Sequence, residues 1–585
     1  MTGRVIIEAV TPAVDGGRYP AKAVVDERIH VEATVWREGD WPLSVCVRWH
    51  GPADDGSGEL VPMAQTGKGT DRWYAELVPH RVGRWRFQVV AWTDRRDGGG
   101  IPRRTFVTTG PWYDVCVDPV LARFSSWYQC FPRSTGGWDA DGRPIHGTLR
   151  TAAADLPRIA AMGFDVVYLA PFHPIGVTGR KGRNGAPTAG PDDPGCPWAV
   201  GSADGGHDAV DPRLGTVDDL VAYVSAARSI GVAVAMDLAL QCSPDHPWVS
   251  EHPEWFRDGG TAQSGGHGPW TDVYPLDFDA DPRELYSELL RVVLFWVDRG
   301  IRVFRVDNPH TKPMDFWVWL IRTVKQRHPD VTFLAEAFTR SAVQRGLSKL
   351  GFSQSLTYFI WRTTKAELTR FGEELVDTAW YLRPNLFPST HDVLHEILQS
   401  GEPAVFAIRA ALAATLSPSW GVYSGYELFE HEALQAGSRE YRDSEKFELR
   451  PRDFSAARSA GCDLAAWLTT LNAIRRAHPA LQQLRTLRFH AVDNDELLAY
   501  SKTDPVTGDA VLCVVNLNPR TVQRGTVRLA GIPGLSDAPC RTVVDELSGA
   551  QRPWANDQEV TLDPAHAVAL IVSTRIAVPE DALPH

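Results

Sequence analysis

From about residue 119 to residue 482 the sequence switches repeatedly between two hydrophobic patterns, and this alternation limits the fold more than any other feature. Eight apolar runs lack polar alternation: "SSWYQCF", "VVYLAPF", "VAVAMDLAL", "IRVFRVD", "TFLAEAF", "QSLTYFIW", "RPNLFPS" and "AATLSPSWGVYSG". They read as strands buried on both faces. Between them, "LRTAAADLPRIAAMGF", "VDDLVAYVSAARSIG", "ELYSELLRVVLFWVDRG" and "FWVWLIRTVKQRH" repeat apolar positions at three and four, the mark of an amphipathic helix. Strands that need cover on both faces, joined by helices that supply it, predict a (β/α)8 TIM barrel over 119–482. A loop insertion is expected at about 175–215, and "LAAWLTTLNAIRRAH" closes the barrel.

The flanks read differently. In residues 1–118, "RIHVEATVWREG", "LSVCVRWHG", "RWYAELVPH" and "RWRFQVVAWTD" are short, aromatic and β-branched, and predict an N-terminal β-sandwich. In residues 483–585, "LLAYSKT", "AVLCVVNLN", "GTVRLAG" and "AVALIVST" predict a C-terminal β-sandwich domain. A chain of 585 residues exceeds one ordinary core, which agrees with this division.

Composition excludes several classes. A net charge of -12 argues against nucleic acid as a partner. No apolar run of about 18 residues predicts a membrane span. The N-terminal "MTGRVIIEAVTPAVDGG" lacks a basic segment followed by an apolar core, so no signal peptide is expected. The eight cysteines form no CxxC pair, which argues for scattered reduced thiols, a cytoplasmic protein and no zinc ribbon. Asp279 and Asp281 read as turn carboxylates rather than calcium ligands, and neither a metal nor a cofactor is expected.

In a TIM barrel the active site forms where strands finish. The third strand there ends in Asp237 and Gln241, the fourth in Arg305 and Asp307, and the fifth in Glu336; the seventh runs into His391 and Asp392. Arg305 and Asp307, two apart on one strand, point to the same face. The arginine would keep the aspartate ionised and oriented, hence nucleophilic. Glu336 would donate the proton, its pKa raised by neighbouring negative charge. Asp392 would grip sugar hydroxyls as the ring flattens toward an oxocarbenium ion. A nucleophile and an acid about 5 Å apart are the retaining-glycosidase arrangement. Any one of these carboxylates alone is equally well a strand-tying salt bridge; together they point to catalysis.

These residues resemble the α-amylase superfamily of retaining glycoside hydrolases and transglycosylases, through "FRVD", "AEA" and "THD". Longer segments resemble the α-1,4-glucan:maltose-1-phosphate maltosyltransferases: "APFHPIGVTGRKGRN", "TAGPDDPGCPWAVGSADGGHDAV", "MDLALQCSPDHPW", "YFIWRTTKAEL", "LSPSWGVYSGYELFE" and "YRDSEKFELRPRDF", with "GRYPAKAVVDE" and "ATVWREG" near the N-terminus. Gln241-Cys242 stands where the superfamily has Asn-His, which is the maltosyltransferase pattern. The resemblance implies Asp307 as nucleophile, Glu336 as general acid/base and Asp392 as transition-state stabiliser. It implies maltose 1-phosphate as donor, an α-1,4-glucan (maltooligosaccharide or glycogen) as acceptor and no cofactor. Gln241, Lys181 and Lys446 would hold the second glucose, Asn308 would contact phosphate, Arg305 would support the nucleophile and Tyr358 would lie in the donor region. Asp237 belongs to the same binding set.

The sequence departs from that family in four places. The family's phosphate-clamp loop reads "SGGHGPWTDVYP" here, with Gly268 and Trp270 in place of the clamp Lys and Tyr, so His267 and the amides of Gly265, Gly266 and Gly268 are the donors left. His391 replaces the family's Pro before the third carboxylate and would bond a sugar hydroxyl in the reactive subsite. The helical insert that helps dimer packing in the family is missing, which leaves a homodimer or a monomer open. Asn184-Gly185 replaces an Asn-Asn in the second sugar subsite. The alternatives are an α-amylase-like hydrolase, a glucan-to-glucan transglycosylase, a transferase with another sugar donor, and a glycan-binding protein without catalysis.

Overall fold

A computed structural model describes residues 4–39, 41–52, 58–67, 69–96, 102–256, 262–263, 269–270, 272–279, 282–529 and 540–574. Eight parallel strands close into a barrel: β1 (Ser125–Cys130), β2 (Val166–Leu169), β3 (Ala233–Leu238), β4 (Val303–Val306), β5 (Thr332–Ala335), β6 (Gln354–Leu356), β7 (Pro384–Leu386) and β8 (Ser419–Tyr423). A helix follows each strand: α1 (Leu149–Ala161), α2 (Val217–Ser229), α3 (Pro282–Asp298), α4 (Met314–Arg327), α5 (Ser341–Lys349), α6 (Lys365–Thr378), α7 (Pro403–Leu416) and α8 (Ala465–Ala477). Thr148, Thr216 and Thr364 start α1, α2 and α6 with reciprocal capping boxes, each hydroxyl accepting the backbone N–H of the third helical residue.

Two sequence expectations are corrected. In "QSLTYFIW" only Gln354–Leu356 is strand, and Tyr358–Trp361 forms a 3-10 turn. In "AATLSPSWGVYSG" the first four residues finish α7. That helix is apolar all round, so it shows no amphipathic period. It is buried because the C-terminal sheet covers its outer side, where Thr415 hydrogen-bonds the Tyr500 hydroxyl.

The barrel interior follows the period of two. Trp127, Val166, Tyr168, Ala235, Val303, Leu334, Leu356 and Phe387 form one apolar cluster inside the barrel. Below it, Gln354 donates to the hydroxyls of Ser125 and Ser419 and accepts from Asn385, a closed polar floor. Above it, Arg305 and Asp307 continue the inward column that starts at Val303.

Residues 5–118 form two sheets around a separate apolar core. One contains Val5–Thr11, Ile29–Arg37 and Arg72–Leu77; the other Leu43–His50, Gly83–Arg96 and Tyr113–Asp118. Beyond the barrel, one eight-stranded sheet spans Arg488–Ser573 and folds over, so that Trp554, Val560 and Leu562 near its two ends join the core of its middle strands. Arg488–Val492, Cys540–Asp545, Gln551–Ala555 and Asp557–Leu562 are strands that the sequence reading did not single out. No described helix is long and apolar enough to cross a membrane. Cysteines 46, 116, 130, 196, 242, 462 and 513 are free.

Candidate active site

Strand register assembles the charged residues. Asp237 on β3 lies opposite Arg305 on β4, and Arg305 lies opposite Leu334 on β5, which puts Glu336 one inward step higher. The Arg305 guanidinium is 1% exposed and holds three carboxylates. Its Nη1 is 2.8 Å from Asp237 Oδ2 and 2.9 Å from Asp307 Oδ1, and its Nη2 is 3.0 Å from Glu336 Oε1. The planar fork of an arginine suits this; a single ammonium does not. Asn308, next to Asp307, takes a left-handed backbone (φ 42°), which asparagine tolerates better than most residues. Its N–H then donates to Glu336 Oε2 at 3.2 Å.

The three acids differ in their electrostatics. Burial, reinforced by the charges of Asp307 and Asp392, pushes the Glu336 carboxyl well above its usual range, against Arg305 and the Asn308 N–H. Burial also lifts Asp237 to about 7, against the Arg305 charge and a hydrogen bond from the Tyr168 hydroxyl. Burial opposes the charge of Asp392 as well, but His391 and Lys446 overcome it and hold that carboxyl well below its usual range. The site therefore favours the protonated form of Glu336 and the charged form of Asp392.

Asp392 sits in a second cluster. His391 Nε2 is 2.8 Å from its Oδ2, and Lys446 Nζ is 2.9 Å from its Oδ1 and 2.7 Å from Glu440 Oε2. Gln129 Nε2, at the mouth end of β1, is 2.6 Å from His391 Nδ1. An amide nitrogen only donates, so Nδ1 is the acceptor and Nε2 carries the imidazole proton toward Asp392. Burial lowers the pKa of His391 in spite of Asp392 and keeps it neutral. Trp198, from the insertion after β2, stacks on the imidazole with centroids 4.3 Å apart and planes 4° apart. Glycines let this insertion pack closely: a Cβ on Gly201 (φ 107°) would come within 2.3 Å of the His246 ring.

Arg305, Asp307, Glu336 and Asp237 thus share one ion-pair cluster, and His391, Asp392 and Lys446 share another. Gln241 lies beyond β3, in a two-residue strand paired with Tyr274–Pro275, and its amide donates to the Trp198 carbonyl at 3.3 Å. The structure places Lys181 beside Asp272, 4.0 Å away, and the Tyr358 hydroxyl on the Thr339 carbonyl. The glycines at 265, 266 and 268, with His267 and Asp281, lie outside the described residues, as does the side chain of Trp270.

Sequence reasoning missed Tyr168, Gln129, Trp198 and Glu440. Gln129 carried a signal: an amide inside an apolar strand needs a buried partner. Trp198 and Glu440 carried none, because loops bring them in. Of two clusters with metal-ligand proximity among the described residues, the other being His252, Glu254 and Glu284 at the surface, the buried one is His207, Cys242 and His246. Its ring nitrogens are already engaged: His207 Nε2 with the Ala239 carbonyl, His207 Nδ1 with His246 Nε2, and His246 Nδ1 with the Trp248 N–H.

Comparison with known proteins adds the following. A family profile described as alpha-1,4-glucan:maltose-1-phosphate maltosyltransferase, domain N/S, matches residues 3–98, and one described as GLGE, C-terminal, matches residues 489–574. The alpha-1,4-glucan:maltose-1-phosphate maltosyltransferase of Mycolicibacterium smegmatis is 48% identical over 676 aligned positions, covering 98% of this chain and 97% of that protein. The protein of the same name from Rhodospirillum rubrum is 41% identical, covering 97% and 94%. An alignment of 676 positions against a chain of 585 residues means that the M. smegmatis protein carries stretches absent here. Among solved structures, a Lactobacillus plantarum alpha-amylase has a TM-score of 0.57 at 19% identity, over 78% of this chain and 99% of its own. A cyclomaltodextrinase has a TM-score of 0.59 at 17% identity, over 94% and 97%. These two show the fold alone.

Proposed function

The chain belongs to the α-1,4-glucan:maltose-1-phosphate maltosyltransferase family, and on that premise we propose that Asp307, Glu336 and Asp392 carry out a double-displacement maltosyl transfer. The donor is maltose 1-phosphate and the acceptor is the non-reducing end of an α-1,4-glucan. One observation carries the reading: a single buried guanidinium ties Asp307 and Glu336 to the same point of the barrel mouth. Two carboxylates held so are placed to act on one bond, the arrangement that retention needs.

In the first half, an Asp307 carboxylate oxygen attacks the anomeric carbon. The bond from that carbon to the phosphate oxygen breaks, and Glu336 gives its proton to the departing phosphate. A maltosyl ester on Asp307 results, with inversion at carbon. In the second half, the acceptor 4-hydroxyl attacks the same carbon, Glu336 takes back the hydroxyl proton, and the ester bond to Asp307 breaks with a second inversion. Positive charge builds on the ring in both steps, and the ionised Asp392 opposes it. Lys446 and His391 fix Asp392 and present their remaining surface to the sugar. Gln241 acts through Trp198, and Asn308 faces the leaving group beside Glu336. Lys181 and Tyr358 border the donor site.

The test pairs a trap with an assay. Glu336→Ala incubated with α-maltosyl fluoride should gain one maltosyl unit by intact mass, mapping to Asp307 after digestion. Wild-type protein with maltose 1-phosphate and maltohexaose should release phosphate and lengthen the glucan by two glucose units. An adduct on another residue removes Asp307 from its role. Glucan shortening without phosphate release replaces the transferase with a hydrolase.

A further inference from the structure

At the end of the barrel opposite the catalytic carboxylates, three parts of the chain meet around a cavity of about 30 Å³. Pro384 starts β7, Pro418 precedes β8 and Arg123 precedes β1, so this is the N-terminal end of the strands. Glu27 comes from the N-terminal sandwich, and Gln483 and Arg485 come from the link to the C-terminal sheet. Arg383, at the foot of β7, completes the polar lining.

Positive charge here exceeds the negative charge that faces it. Glu27 serves both Arg485, at 2.8 Å, and Arg123, at 3.6 Å. Asp118 is shared by Arg383 and Lys325, each at 2.5 Å. Asp504, the other acid close to Arg123, is taken up by Gln483 and by the turn at Thr507. Arg123 Nε and Arg485 Nε are buried, and neither has an acceptor among the described residues. The Arg485 guanidinium lies 3.6 Å from the Trp380 ring centroid, which covers its face; Nη1 donates to Glu27 and Nη2 to the Lys22 carbonyl, which leaves Nε over. Lys22, behind this cluster, is a further buried amine, brought down to about 7 by burial first and then by Arg383, against Asp118.

We propose that this cavity binds a small inorganic anion, a halide or inorganic phosphate, which ties the N-terminal sandwich, the barrel floor and the C-terminal link together. Guanidinium edges are the donors that such anions select. A single water needs about 10–15 Å³ of the same kind of volume, so the space exceeds one water and is far too small for a sugar phosphate. An anion there would offset cations, Arg383 buried and Arg123 and Arg485 part-buried, that otherwise oppose one another. The site stands apart from the transfer chemistry, and its existence does not depend on the proposed reaction.

The experiment is a thermal-unfolding titration of the full chain at constant ionic strength set with gluconate, replaced stepwise by chloride in one series and by phosphate in another. The expected result is a saturable rise in Tm of roughly 2–4 °C with at least one of them. A response to chloride alone identifies a halide site, and a response to phosphate alone an oxyanion site. Arg123→Gln should abolish the rise. Glu27→Gln, which removes the competing carboxylate, should shift its midpoint to lower anion concentration; a packing change would not produce these opposite effects. A flat wild-type Tm in both series overturns the proposal, and so does an equal rise in Arg123→Gln. If neither variant folds, a crystal grown in the responding anion decides, bromide standing in for chloride: density of that anion between Arg123 and Arg485 supports the site, and its absence refutes it.

Discussion

Arg305 is the residue whose removal tests the site most directly. Its guanidinium makes contacts of 2.8, 2.9 and 3.0 Å with Asp237, Asp307 and Glu336, shielded from water. Removing one partner of a buried pair costs about 3–5 kcal/mol, because the other charge is left uncompensated. Arg305→Met leaves three acids without their cation, and protonation limits the damage. Arg305 is a force holding the Glu336 and Asp237 pKa values down, so without it both rise further. The carboxyls then bind protons in the folded state that they release on unfolding. Unfolded carboxyls titrate near pH 4, so the folded protein binds more protons above that pH and its stability falls as pH rises, by about 1.4 kcal/mol per pH unit for each such group. Arg305→Met should therefore lose about 3–5 kcal/mol at pH 7.5 and recover part of it at pH 5.5. Catalysis loses the fixed pair of acids: 3–5 kcal/mol of transition-state stabilisation is about 10²–10⁴ in kcat/KM. Arg305→Lys keeps the charge and loses the fork, so it should fall between wild type and Arg305→Met. Phosphate release from maltose 1-phosphate gives kcat/KM, and urea unfolding at the two pH values gives stability. An Arg305→Met protein with more than a tenth of wild-type kcat/KM, or one equally destabilised at both pH values, would refute this account of the cluster.

Three other measurements follow from the same physics. His173, His207 and His246 are buried and neutral, with pKa values lowered by burial to about 3, 4 and 2. The unfolded chain takes up protons at these positions below about pH 6.5 and the folded chain does not. Their contribution is thus intact above that pH and lost as pH falls below it, so His246→Gln should flatten the urea midpoint between pH 6.5 and 5; an unchanged slope contradicts this. His478 behaves oppositely: burial lowers its pKa, but Asp509 and Glu546 raise it to about 9. Its contribution is full below about pH 6.5 and lost as pH rises through 9, so His478→Gln should remove the stability loss seen by calorimetry between pH 7 and 9.5. Gln129→Leu removes the donor that fixes the His391 tautomer. The lost hydrogen bond should lower kcat about 5–30-fold with little change in KM. Steady-state kinetics with kcat unchanged would show that the tautomer is irrelevant.

The barrel was legible because its evidence is local. Each strand announced itself as an apolar run, and the period of two placed Arg305 and Asp307 on one face before any partner was known. Helix α7 escaped, because a helix buried on every side has no polar stripe to give it away. The second half of "QSLTYFIW" misled for a related reason: an apolar run reports burial, and a buried 3-10 turn looks the same as a buried strand.

What the sequence determined by itself is the set of chemical groups and the strand ends that carry them, since both depend on neighbours within a few positions. What only the tertiary structure decided is which groups share charge. Asp237 and Glu336 meet one guanidinium because the barrel closes with a particular register, Lys446 reaches Asp392 across a long loop, and Gln129 reaches His391 because β1 ends beside the loop that follows β7. Electrostatic and hydrogen-bond energies depend on distances of a few ångströms between residues far apart in the chain, and local patterning cannot encode such distances.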